Sequence, residues 1–511
     1  MQTLPQSILR HTLSAPIPSP RRMKTWLGDS AHPLADLNTL RDEGAEAVLL
    51  PVESSGGDAS ESGPDVCLGV NSQRVHKICR AAESVAGAGL QLWLCLDHRA
   101  LDNHRAQFGL SGRLLATQGN SQSPFPDYAD LRCQTADRRL VDSIIDAIPG
   151  VAGFVLGAAM DPAVLAVDNR FYSPKFLREF RDRFQCDLRQ ALTPETAITR
   201  RNYYAAWSDM LFRLQSSVAR AIRCRRGPRV PIVFMDGSHP THAPVDVYRL
   251  ARSTADGIIG DGNPPENVSR AVARSVAKYL PRRLGWTVQP DGWLEAIPPE
   301  ASESVDVAVV WNWGAEAALD ATLRARYRRS LGAVCRLLDR ESISYDIVPP
   351  DVITTAEEPT ETGGFRRREG EYGCVLYPYG WMLRPIDWEI LESFADSGGR
   401  LLFYGAGPQV TTDGRLIAEQ FGKLIGATTA RLEARTAMAP GHEFVMNGCR
   451  YPAINGECLF YPMATQDALV TAGDSALGVR RRNTVYLTMD APLCCPDLFV
   501  QVMKELRVDN G

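Results

Sequence analysis

Between Met23 and Val288, short apolar runs alternate with longer stretches whose apolar residues recur at helical spacing. Lys24–Gly28, Ala47–Val52, Leu90–Leu96, Val151–Leu156, Val230–Met235, Gly257–Ile259 and Arg283–Val288 read as buried strands, because runs of this length bounded by turn residues seldom build helices. Pro33–Glu43, Ser72–Ala86, Ala136–Ile148, a segment from Ser173 and a long one from about Pro194 to Cys224 read as the helices between them. The helix from Ser173 has the best-marked start. Ser173 is a good N-cap, Pro174 fits the first turn, and Phe176, Leu177, Phe180 and Phe184 then follow on one side. Alternating strands and helices predict a parallel sheet, and seven units over roughly 290 residues suit a (β/α)8-like TIM barrel. No eighth unit is evident, so a degenerate or incompletely closed barrel is expected.

The pattern changes at about Ala301. Strands Val305–Val310, Ser344–Val348, Cys374–Tyr377 and Arg400–Tyr404 alternate with helices Ala317–Arg340 and Pro385–Ser397, the second stopped by Gly398-Gly399. This is the signature of a smaller open α/β domain of flavodoxin-like pattern. Glu443–Met489 is strand-rich, and Pro496–Leu506 is a last helix. The chain therefore divides into a lead-in (1–22), a barrel (23–300), a flavodoxin-like domain (301–440) and a tail of strands and a helix (441–511) that completes it.

If the barrel holds, its active groups belong at the carboxyl ends of its strands. Acids stand there at Glu53, Asp97, Asp161, Asp236, Asp261 and Asp291. His98 and His239 follow the third and fifth strands, and Trp293 follows the seventh. Each has a plainer reading beside the chemical one. Asp161 precedes Pro162, Asp291 lies in Pro290-Asp291-Gly292, and both sequences are common turn formers. His239 and His242 have His-x-x-His spacing, but on a loop, and zinc would need a third ligand such as Asp236 or Asp97, so no metal site is expected. Trp293 is either a stacking platform for a sugar ring or part of the packing between domains. Cys374 falls inside a strand, without the sharp elbow that exposes a nucleophile.

Composition excludes some partners. Net charge is −4 with short basic runs only, which argues against nucleic acid, and no apolar run approaches membrane-spanning length. Twelve cysteines without metal spacing fit reduced, mostly buried thiols in a cytosolic protein. No cofactor signature is present.

Four segments then point further. VDVAVVWNWGAEAALDATLRARYRRSLGAVCRLLDRESISYDIV with YGCVLYPYGWMLRPIDWEILESFADSGGRLLFYG resembles the trimerisation domain of the family forty-two β-galactosidases. FYSPKFLREFRDRF and DLRCQTADRRLVDSIIDAIPGVAGFVLG resemble the stretches after and before that family's acid/base glutamate. The resemblance runs from about Lys24 to Leu493 and implies a TIM barrel, a carbohydrate or glycosylated small molecule as ligand, and a dimer or trimer. It also implies two catalytic glutamates, and here their positions fall on Ala158 or Ala159 and near Gln289. Alanine and glutamine can neither protonate a leaving oxygen nor attack. The expectation is a glycoside-hydrolase-like protein that does not work by the two-glutamate route. If it is an enzyme, Asp161 would be the acid/base and Asp291 or Asp236 the second carboxylate, with Glu53, Asp97, His98, His239, Asp261, Gln289 and Trp293 around the substrate. Alternatives are a non-catalytic sugar-binding scaffold, or a lyase, isomerase or hydrolase using His98 and His239.

Overall fold

Eight strands close into a barrel: β1 (Arg22–Thr25), β2 (Ala47–Pro51), β3 (Gln91–Leu96), β4 (Val151–Gly157), β5 (Ile232–Asp236), β6 (Gly257–Gly260), β7 (Leu284–Val288) and β8 (Trp293–Ala296), in the order β1-β8-β7-β6-β5-β4-β3-β2. The computed structural model describes residues 19–25, 33–52, 72–96, 115–116, 129–148, 150–157, 171–188, 196–236, 255–260, 266–279, 284–289, 291, 293–297, 305, 307–350, 365–367, 370–429, 436–438, 441–454 and 458–508. The first seven strands are parallel; β8 runs antiparallel to both of its neighbours, pairing Leu294 with Val288 and with Met23. The missing eighth unit is therefore a hairpin strand without a helix, and the barrel is closed rather than incomplete.

Helices α1 (Pro33–Asp42), α2 (Ser72–Gly87), α3 (Arg132–Ala147), α4 (Pro174–Phe184), α5 (Ala197–Arg226) and α6 (Glu266–Tyr279) accompany the barrel. The start of α4 is as the sequence predicts: Ser173 Oγ accepts from Phe176 N at 3.0 Å, and Phe176 and Phe180 are buried. At 30 residues, α5 is about 45 Å long, far longer than the strands it packs on. Its amino-terminal half carries Tyr203, Tyr204 and Trp207 into an aromatic cluster with Phe176.

The second domain has one nine-stranded sheet. Strands β9 (Val307–Val310), β10 (Tyr345–Val348), β11 (Cys374–Pro378) and β12 (Arg400–Tyr404) precede the later strands β13 (Glu443–Met446), β14 (Cys449–Pro452), β15 (Ala468–Ala472), β16 (Ser475–Arg481) and β17 (Thr484–Leu487). The order is β10-β9-β11-β12-β17-β16-β15-β13-β14. The first five in that order are parallel, in the flavodoxin-like sequence 2-1-3-4-5, and the rest form an antiparallel meander. The expected helix 317–340 is two helices, α7 (Trp313–Ala318) and α8 (Ala321–Arg340); Leu319 is extended, and Asp320 caps α8 by accepting from Leu323 N at 2.8 Å. Helices α9 (Pro385–Asp396) and α10 (Ala418–Ile425) cover one face, while α8 and α11 (Pro496–Val508) contribute to the core of the other.

The two domains meet along the β10 edge of this sheet. Ser275 Oγ, on α6, accepts from Ile347 N at 2.8 Å, and Arg274 donates to Tyr345 O at 3.1 Å. A barrel helix thus supplies side-chain partners to backbone groups that an edge strand would otherwise present to solvent.

Candidate functional site

Strands β2 to β7 are in parallel register, so their carboxyl ends, Pro51, Leu96, Gly157, Asp236, Gly260 and Val288, form one rim. Chemistry in such barrels sits on that rim. Asp236 is the last residue of β5 and pairs with Gly260 of β6. Glu53, Asp97, His98, Asp161, His239 and Asp261, along with Ala158, Ala159 and His242, lie outside the described residues.

The other three candidates lie on the β7–β8 hairpin. Gln289 N donates to Trp293 O at 2.7 Å, holding the hairpin's neck. Side chains on β7 alternate, with Leu284, Trp286 and Val288 packed with the lumen cluster and Thr287 on the opposite face. Gln289 follows Thr287: its Nε2 donates to Thr287 Oγ1 at 3.5 Å and to Glu295 Oε2 at 3.2 Å. Its amide is therefore directed along the outside of the barrel. Exposed Asp291 accepts from Trp293 N at 3.2 Å through Oδ1, and its carbonyl accepts from Lys24 Nζ. That is a turn-forming role. Trp293 is opposite Lys24 on the outer face, with the Arg22 guanidinium 4.1 Å and the Lys24 ammonium 4.9 Å from its ring centre. The ring is buried under two cations rather than presented to the lumen as the expected sugar platform.

Inside, the lumen is plugged. Trp93 and Trp286 meet edge to face, with centroids 5.8 Å apart, among Met23, Leu49, Val155 and Leu294. Gly153 makes room for them, since a Cβ there would come within 2.6 Å of the Trp93 ring. Trp286 Nε1 donates to Pro20 O at 3.0 Å, which ties the plug to the chain just before β1. Any ligand space belongs above this layer. The plug was missed in the sequence because a lone Trp in a strand does not reveal which face it takes; the matching Gly153 and Gly257 were the available signal.

One buried acid outside the candidate set stands out. Asp130, 4% exposed, precedes α3 and accepts from Arg132 N at 3.0 Å, Arg132 Nη2 at 2.7 Å and Lys175 Nζ at 2.9 Å. Burial alone would raise its carboxyl, but the hydrogen bonds from Arg132 and Lys175 outweigh burial and hold it well below its ordinary 3.8. An acid so held stays ionised at neutral pH and cannot serve as a general acid. It staples the starts of α3 and α4.

Open α/β domains bind ligands beyond the carboxyl ends of their strands, at the point where strand order reverses. Here that point is between β9 and β11, and protein fills it. Asn312, just after β9, donates to Tyr377 Oη at 3.0 Å and to Met382 O at 2.7 Å. Buried Glu316 accepts from Trp311 Nε1 at 2.7 Å and from Arg328. Beyond β17, buried Asp490 accepts from Arg326 at 3.0 Å, from Tyr379 at 2.7 Å and from Ser330. These groups satisfy one another. Cys374 is fully buried in β11. A groove of about 770 Å³ beside α10 is lined by Gly422, Lys423, Thr429 and Arg481. Its cations are engaged, Lys423 with Glu419 at 2.8 Å and Arg481 with Lys423 O. Among the described residues no three His, Cys, Asp or Glu side chains gather as a metal site, and no helix is long and apolar enough to cross a membrane.

No family profile matches the chain, and no curated protein matches it. Solved structures do. A β-galactosidase from Bacillus circulans sp. alkalophilus superposes over 94% of this chain and 87% of its own, with TM-score 0.65 and 11% identity. The cold-adapted β-galactosidase from Rahnella sp. R3 covers the same shares, with TM-score 0.65 and 12% identity. Gan42B, a GH42 β-galactosidase of G. stearothermophilus, matches over 96% of this chain and 90% of its own, with TM-score 0.66 and 10% identity. The chain has the GH42 fold, barrel and second domain together.

Proposed function

We propose that this chain binds or processes a carbohydrate, or a glycosylated small molecule, at the rim of its barrel, and does so without the paired glutamates of GH42 hydrolysis. The observation that carries the reading is the combination of a GH42 fold over nearly the whole chain with Gln289 at the seventh strand's end, its amide engaged outside the lumen. Retaining hydrolysis needs two carboxyl groups about 5 Å apart, and inversion needs them wider. The resemblance puts alanine at the first position and glutamine at the second. In a catalytic version Asp161 donates and accepts the proton, with Asp236 the second carboxylate. Asp291 is less suited, because its carboxylate caps the hairpin turn. In the binding version the rim acids only hydrogen-bond sugar hydroxyls.

Turnover of nitrophenyl glycosides by wild type and by Asp161→Asn separates the two. Loss of turnover in the variant supports the catalytic version, and equal turnover removes Asp161 from the reaction. Saturable galactoside binding by calorimetry without turnover supports the binding version. Absence of both turnover and saturable binding across a panel of glycosides overturns the carbohydrate reading. We further propose that the second domain self-associates, as its likeness to the trimerisation domain implies; a monomer mass by sedimentation at micromolar concentration would remove that.

A further inference from the structure

Where the amino-terminal half of α5 meets α7 and α8, arginines are satisfied one by one. Arg200 donates to Ala318 O at 2.6 Å. Arg324 donates to Leu319 O at 3.0 Å and lies over the Tyr204 ring at 4.7 Å. Arg328 pairs with Glu316. Arg201 differs from all of them. Among the described residues its side chain makes one hydrogen bond, from Nη1 to the neighbouring Asn202 Oδ1 at 3.0 Å, and pairs with no carboxylate. Its Nε is buried without a partner. The guanidinium lies against Gly314, where an added Cβ would be 3.5 Å from Nε. The preceding residue, Trp313, packs on the α5 aromatic cluster, and its indole Nε1 is also buried without a partner.

A second cation stands nearby. Burial, and after it the charge of Arg384, lower the pKa of Arg201 from its ordinary value. Arg384 is compensated by Asp387, with Nε to Oδ2 at 2.9 Å. Among the described residues, Arg201 is left without a carboxylate partner. Arg201 is half-buried with its Nε covered; guanidinium does not escape the cost of such partial burial by losing its proton at physiological pH, and a charge so placed without a partner costs the fold stability. Two parallel N–H donors in a rigid fork are also the geometry that takes an oxyanion bidentately.

We propose that this junction binds a small ligand through an oxyanion group, a carboxylate, phosphate or sulfate, with Arg201 as the principal contact and Arg384 and Trp313 beside it. The site is separate from the barrel rim. Gln215, whose amide holds Gly157 O at the end of β4, lies fourteen residues further along α5, about 21 Å down the helix axis. Failure of this site therefore says nothing about the rim, and the reverse holds too.

The test is thermal melting of the full chain in a buffer free of polyvalent anions, titrated with sodium sulfate, phosphate or glucuronate. Sodium chloride at matched ionic strength and uncharged glucose are the controls. Wild type is expected to gain Tm along a saturating curve with at least one oxyanion and not with the controls. Arg201→Gln is expected to lose the saturating component and, without anion, to melt at or above wild type, because a half-buried charge without a partner is gone. Arg201→Lys, which keeps the charge and loses the fork, should need several-fold more anion, and it serves if the glutamine variant does not fold. Saturation at lower glucuronate than phosphate or sulfate identifies a carboxylated sugar; the opposite order identifies a phosphorylated or sulfated ligand. A wild-type response indistinguishable from chloride overturns the proposal, as does an undiminished saturating response in Arg201→Gln.

Discussion

Gln289 is held by what surrounds it rather than by what it might touch in a substrate. Its amide donates to Glu295 Oε2, and Glu295 in turn lies 3.7 Å from Arg22 Nε. Gln289→Glu should therefore not create hydrolysis; it should put two carboxylates side by side on the outer face. The expected cost is about 0.5–1 kcal/mol at pH 7. Repulsion requires both groups ionised, so the cost should vanish as pH falls below the carboxylate range. Denaturant midpoints of the two proteins at neutral and acid pH check this, and a gain in glycosidase turnover would contradict the outward placement. Asp130 carries the opposite sign. Its folded pKa is depressed, so its stabilisation is complete above 3.8 and drains away as pH falls through the folded value. Asp130→Asn should cost about 1–2 kcal/mol at pH 7, since two charged donors lose their acceptor. The variant and wild type should converge in stability in strong acid. A constant difference across the acid range would mean that the carboxylate's charge does not matter.

At the scale of elements, the closing strand β8 shows what sequence can and cannot deliver. Strands β2 to β7 were legible because each is a short apolar run bounded by turn or polar residues, and the α4 start because Ser173-Pro174 has one good use. The eighth strand was not, because Trp293–Ala296 follows β7 after a short turn, with no helix between them to mark a new unit. Its Pro-Asp-Gly sequence reads as a turn, but nothing in it says that the turn joins two barrel strands as a hairpin. The outward placement of Gln289 and Trp293 follows from that hairpin and could not precede it. Inside the barrel the Trp93–Trp286 plug depends on two glycines that periodicity treats as punctuation. Gly153→Ala would bring a Cβ to 2.6 Å from the Trp93 ring, and overpacking of this kind costs about 1–3 kcal/mol. Near-UV circular dichroism should change with it, since the edge-to-face pair is displaced. Trp93→Leu in the same chain should recover part of the loss. Additive losses from the two changes would show that the glycine acts by something other than clearing the ring.

For the whole molecule, the question is what makes barrel and second domain one unit. Burial and pairing at the junction answer it. Ser275 is fully buried on α6 and receives Ile347 N–H from the edge of the nine-stranded sheet, while Arg274 reaches Tyr345 O and lies 4.9 Å from its ring. Removing the hydroxyl in Ser275→Ala takes an acceptor from a buried backbone donor, at about 1–3 kcal/mol. Ser397→Ala, whose hydroxyl bonds Ser393 O on an exposed helix end, should stay within about 0.5 kcal/mol. The contrast in denaturant midpoint separates a junction effect from the loss of any serine hydroxyl. If Ser275 also couples the domains, adding Arg274→Met should do more than lower the midpoint. Wild type would unfold in one transition, and the double variant would split into two, because domains joined by a weakened interface unfold at their own stabilities. A single, merely shifted transition in the double variant would mean that the remaining contacts, from α5 to α7 above all, suffice to hold the two domains together.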